Sequence, residues 1–168
     1  MKPQSPSTHK KVWVETFEGE PVRGYVSPRR FDRPEGLEMM DAAGQVRTLP
    51  WKGVKTAWFV RDWDVPPAPR DPRVFARRPR LEGLWVRVRF RDDEVMEGIV
   101  VNDLLHLSPH GYLLTPPDLN GNHQRAFVPR AALAAIEVLG VNPSRGQPRR
   151  RRPRAAPEAG RQPRLFSE

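Results

Sequence analysis

Three sets of side chains have types that could do chemistry. His106, His110 and His123 could hold zinc or nickel if their ring nitrogens came within about 4 Å of one another, since metal–nitrogen distances run near 2 Å. Their spacing matches no standard metal site, and they read as residues of surface loops. Asp92, Asp93 and Glu94 could attract a cation, but a polar run between two apolar stretches reads first as a hairpin turn. The serines (Ser5, Ser7, Ser27, Ser108, Ser144 and Ser167) lie in tails or turn-like contexts, with no nucleophile elbow. There is no Gly-rich phosphate loop and no His-Glu-x-x-His. The expectation is a chain that is not an enzyme and has no metal site and no cofactor.

A second kind of chemistry is electrostatic. The chain carries a net charge of +9, and residues 142–168 hold eight arginines against Glu158 and Glu168, a net of +6. The parts expected to fold are close to neutral, so the basic isoelectric point is no evidence that folded surfaces bind nucleic acid. The run Arg149, Arg150, Arg151, Arg152 and Arg154 is a polycation that can neutralise phosphates without reading sequence. An anionic membrane surface or an acidic protein would serve as well, and a purely solubilising tail is the other reading. Near the end, Gln162, Leu165 and Phe166 form Gln-x-x-Leu-Phe, which resembles the bacterial sliding-clamp-binding motif. Leu165 and Phe166 could fill an apolar pocket while Gln162 hydrogen-bonds beside it. The resemblance implies the sliding clamp as a protein partner.

The elements that must carry these groups are strands. From Leu84 to Val101, Val86, Val88 and Phe90 alternate with Arg87, Arg89 and Arg91, a period of two with one face buried. Asp92 and Asp93 turn the chain, and Gly98 breaks the next apolar run where a strand can bend or another backbone can approach. The same pattern occurs earlier. Val12, Val14 and Thr16 fall on Val86, Val88 and Phe90, and Gly24 falls on Gly98. Residues 34–39 echo 109–114, and 49–57 echo 128–136, so the chain reads as a tandem duplication. Each copy predicts five strands: 11–17, 21–28, 36–41, 45–49 and 54–60, then 85–91, 94–102, 111–115, 124–129 and 133–139. A 3₁₀ turn is expected after Pro50 and Pro129. Asn120-Gly121 signals a hairpin in the second copy. Trp13, Trp51, Trp58 and Trp85 are expected in the cores and in the contact between copies.

Composition bounds the rest. The 168 residues suffice for one domain or two small ones, and 20 prolines are too many for a helical protein. With no cysteine there are no disulfides, and a reducing cytoplasmic location is expected. No run of about 18 apolar residues exists to span a membrane, and the first residues lack the apolar stretch of a signal peptide. Residues 1–10 are expected to be a disordered N-terminus, 11–61 the first small barrel, 62–83 a Pro-rich linker, 84–141 the second small barrel and 142–168 a disordered basic tail.

Five strands with a 3₁₀ turn before the last resemble a small SH3-like or Sm-like barrel. Val86, Val88, Phe90, Gly98 and Asp103 are similar to the first Sm motif, and residues 127–136 to the second. Arg130 is followed by Ala131 where that motif has glycine, and the base-reading asparagine is missing. Residues 11–141 also resemble a bacterial domain family of unknown function that occurs in pairs and near PilZ domains. The segments 114–118 and 125–132 carry that likeness. It implies an all-β fold of two tandem five-stranded barrels, and in the absence of catalytic motifs the chain reads as a non-enzymatic bacterial binding or adaptor module. The alternative is a nucleic-acid-associated protein working through its tail.

Overall fold

Alternating apolar residues dictate strands, and the computed structural model of the protein is built from strands. It describes residues 9–65, 73–103, 105, 107–117 and 121–143. The first half contains β1 (Lys10–Thr16), β2 (Val22–Val26), β3 (Asp32–Arg33), β4 (Gly36–Met40), β5 (Val46–Leu49) and β6 (Val54–Val60). The second contains β7 (Gly83–Phe90), β8 (Val95–Val100), β9 (Gly111–Thr115), β10 (His123–Pro129) and β11 (Leu133–Asn142). A 3₁₀ turn, Arg130–Ala132, precedes β11. No α-helix occurs among the described residues. The short β3 was not expected, and β11 runs three residues beyond its predicted end because it stays paired with β7 as far as Asn142↔Gly83.

The two halves share one wiring and one register. Val12 lies opposite Gly24 and Phe59, and Val86 lies opposite Gly98 and Val138. A bulge places Lys55 between Thr56↔Glu15 and Val54↔Thr16, and another places Ala134 between Ala135↔Arg89 and Leu133↔Phe90. Met39 pairs with Arg47 as Leu114 pairs with Ala126. Gly24 and Gly98 occupy the same position. A methyl group on Gly24 would strike Met39 and the Met40 carbonyl, and one on Gly98 would strike Leu114 and the Thr115 carbonyl. Each glycine lets the following strand cross close over the bend.

The closed barrels expected from the sequence are corrected here. All strands belong to one open antiparallel sheet, in the order β11-β7-β8-β9-β10-β6-β1-β2-β4-β3 with β5 on β4. The reason is β10. Instead of joining β11 to close the second half, it pairs with β6 of the first, Phe127 opposite Ala57 and Ala126 opposite Trp58. Side chains alternate across a strand, so this seam exchanges core residues. Phe127 belongs to the first half's core with Val12, Val14, Leu37 and Met39, while Trp58 and Val60 belong to the second half's core with Val86, Val88 and Phe90. Trp13 and Trp51 pack partly buried against these cores.

The described part of the linker lies on the sheet. Glu97 N–H donates to the Arg73 carbonyl (2.6 Å), Pro79 is buried, and Phe75 meets Trp85 edge to face. Trp63 packs edge-on to Tyr25, whereas Val74 is exposed.

Candidate functional site

The seam between halves makes three adjoining features: a cation clamp, a buried carboxylate and an apolar cleft. The clamp starts at the β7–β8 turn. Asp93 adopts the left-handed conformation (φ 66°), and the turn closes through Asp93 N–H to the Phe90 carbonyl. The three carboxylates that sequence offered to a cation are occupied by the protein's own cations. Asp92 and Glu94 hold the Lys55 ammonium at 2.5 and 2.8 Å, and Asp93 pairs with Arg89 at 3.2 Å. Lys55 is buried, which disfavours its charge, but the hydrogen bonds and charges of Asp92 and Glu94 outweigh burial and raise its pKa. Asp92 is correspondingly held below the usual carboxylate range, burial being outweighed by Lys55 and the Glu94 N–H. Arg73 bridges Glu15 (3.0 Å) and Glu94 (3.4 Å), and Arg91 lies 3.8 Å over the Phe17 ring. The turn thus grips the first half.

Glu97 is the buried carboxylate. It accepts from Arg87 (2.8 Å), the Trp85 indole (3.1 Å) and the Phe75 N–H (3.1 Å). Burial raises its pKa, but these donors prevail and lower it. The group locks the linker over β8. Asn122 does the same at the linker's start, accepting from Arg61 and Asp62 N–H groups and donating to the Asp62 and Val65 carbonyls.

The cleft lies where the loop after β2 faces the segment before β9. Its larger part, about 730 Å³, is lined by Pro28 and Phe31 of the first half and by Leu105, Leu107, Leu113 and Arg125 of the second. A smaller lobe of about 290 Å³ shares Pro28, Phe31, Leu113 and Arg125 and adds Lys10 and Phe59. Phe31 is wedged edge-on to Phe127 (4.9 Å) and Phe59 (5.7 Å), so the wall is fixed by the exchanged core. Ser108 donates to Asp32 (2.6 Å) across the seam. Arg125 is exposed and has no ion pair among the described residues, so the mostly apolar cleft, whose lining also includes Asp32 and Asp103, presents a cation to solvent. Mostly apolar clefts with a few placed polar groups are the usual form of a binding site.

Of the histidines, His110 stacks on Trp51 (6.0 Å, 17°) and His123 is buried against Trp58, while His106 lies outside the described residues. Among the described residues no three His, Cys, Asp or Glu side chains gather as metal ligands, and no helix is long and apolar enough to cross a membrane. The tail residues Arg149, Arg150, Arg151, Arg152, Arg154, Gln162, Leu165 and Phe166 lie outside the described residues, as do residues 1–8 and Asn120. Sequence reading missed Lys55, Glu97 and Arg125. Lys55 and Glu97 left a signal, each being a lone charge in an apolar strand; Arg125 left none, because its role depends on the neighbouring half.

Residues 8–140 match the model of a family of unknown function, DUF6982, and the chain belongs to that family. No curated protein and no solved structure matches it.

Proposed function

We propose that this DUF6982 member is a non-enzymatic binding or adaptor module of two small SH3-like units, with the cleft between halves as its ligand seat. The observation that carries this reading is the pairing of a mostly apolar cleft, walled by both halves, with the Arg125 guanidinium in its lining, which has no ion pair among the described residues. The shared registers of the halves support the two-unit description, together with its likeness to paired SH3-like or Sm-like domains. The chemistry suits an extended peptide with an apolar anchor beside a carboxylate. The anchor fills the space between Phe31 and Leu113, and the carboxylate meets Arg125.

The test is selection of a displayed random-peptide library on the intact chain. Enriched peptides should share an apolar residue next to Asp or Glu, and Arg125→Glu should weaken them by at least about tenfold, a change of about 1.4 kcal/mol. Failure to enrich any such motif, or binding indifferent to Arg125→Glu, would remove the cleft from consideration. A second reading rests on the tail: a nucleic-acid-associated protein that uses Arg149–Arg154 on phosphates, with Gln162, Leu165 and Phe166 docking on the sliding clamp. Its support is the concentration of +6 of the +9 net charge in residues 142–168.

A further inference from the structure

Within the chain, the next-to-last strand of the second half, β10, pairs with the last strand of the first, β6. Their counterparts in the opposite halves are β5 and β11, and each pairs on one side only, with β4 and β7 respectively. Among the described residues no strand covers the other side of either. The burial of equivalent strands shows the consequence. Most of β6 is buried, whereas β11 is exposed from Ala134 to Val138, and β10 is mostly buried whereas Val46, Arg47 and Thr48 of β5 are exposed. Long, uncovered edges are templates for pairing with another chain.

We infer that β5 of one copy adds to β11 of a second copy, in the antiparallel register that β10 and β6 use inside the chain. The internal register transfers residue by residue. Phe127 opposite Ala57 becomes Thr48 opposite Ile136. Ala126 opposite Trp58 becomes Arg47 opposite Glu137. Arg125 opposite Phe59 becomes Val46 opposite Val138. This alignment places a cation on an anion and an exposed valine on an exposed valine. Val46 and Val138 are 69% and 56% exposed, and Ile136 is 40% exposed. Glu137 has no ion pair among the described residues, and Arg47 reaches only Asp41, at 3.7 Å. Opposite charges and β-branched pairs directly across a strand pair are stabilising. Each chain offers one β5 edge and one β11 edge, so the contact is head-to-tail. It builds a ring if the rotation per copy closes and a filament if it does not. With a charge pair where the internal seam has Trp58 against Ala126, the contact is weaker than the internal seam and sensitive to salt.

Sedimentation velocity of the full chain over a wide concentration range tests this, with circular dichroism to verify that each variant is folded. The intact chain should assemble beyond a monomer, and added salt should weaken assembly. Arg47→Glu and Glu137→Arg should each shift the midpoint upward by at least about tenfold. An equimolar mixture of these two variants should assemble again, because opposite charges then meet at every junction, and the double exchange in one chain should do the same. A chain that stays monomeric throughout overturns the inference. So does loss of assembly by Glu137→Arg with none by Arg47→Glu, which would mean that β11 pairs with β11. Single variants that stay impaired when mixed overturn it as well.

Discussion

Lys55 and Glu97 show how a lone charge inside an apolar strand is stabilised. Each is buried, and each is kept charged by groups from another segment: Asp92 and Glu94 for Lys55; Arg87, Trp85 and Phe75 for Glu97. A carboxyl lowered on folding contributes stability above its unfolded value of about 4.3, and that contribution is lost as pH falls through the lower folded value. Glu97 is such a group. Glu97→Gln keeps an acceptor for the indole and the Phe75 N–H but removes the charge facing Arg87, which is half-exposed and can be rehydrated. The expected loss at neutral pH is about 1–2 kcal/mol, read from the urea midpoint. The gap to the wild type should narrow as the medium is acidified below about pH 4. A gap that persists unchanged in acid would assign the loss to packing instead.

At the scale of elements, β6 and β10 decide how the sheet is used. They exchange Trp58 and Phe127, so neither half completes its core from its own strands. Phe127 touches Phe31 and Trp51 of the first half, and its counterpart Thr48 is exposed. Phe127→Ala should therefore destabilise by about 3–5 kcal/mol, through lost burial and the cavity left behind. Because the cores are shared, tryptophan fluorescence and circular dichroism should still report one coincident urea transition in the wild type. Two separated transitions would show that the halves unfold independently and that the seam is only a contact.

At the scale of the molecule, charge and fold are segregated. The described sheet pairs many of its charges, some of them across the seam as Lys55 with Asp92, while residues 144–168 hold eight arginines against two glutamates. If the tail is the route to nucleic acid, removing residues 144–168 should weaken single-stranded DNA binding sharply and flatten its dependence on salt, because fewer counterions are released. Equal affinity of the full and shortened chains at low salt, measured by fluorescence anisotropy, would move that binding onto the sheet.

Most strands, the turn at Asp92 and Asp93, the 3₁₀ turn after Pro129 and the matched positions of Gly24 and Gly98 were legible in the sequence by itself, because period-two burial and close backbone approach depend on local residue types, whereas the segment after Pro50 is a plain turn rather than the expected 3₁₀ turn. Residues that the sequence set side by side occupy equivalent registers, Val12 opposite Gly24 and Val86 opposite Gly98. Lys55 and Glu97 were missed, although each stands as a lone charge in an apolar strand, because the partners that hold them come from other segments. Only the tertiary structure decided that the two sets of strands form one open sheet. Pairing of β10 with β6 or with β11 satisfies the same backbone groups, and the choice rests on which side chains then fill which core. Trp58 and Phe127 each fill the opposite half's core, through a register that sets Ala126 opposite Trp58, 68 positions away, and that no local pattern encodes. The cleft, and the edges of β5 and β11 that no described strand covers, follow from that one long-range choice.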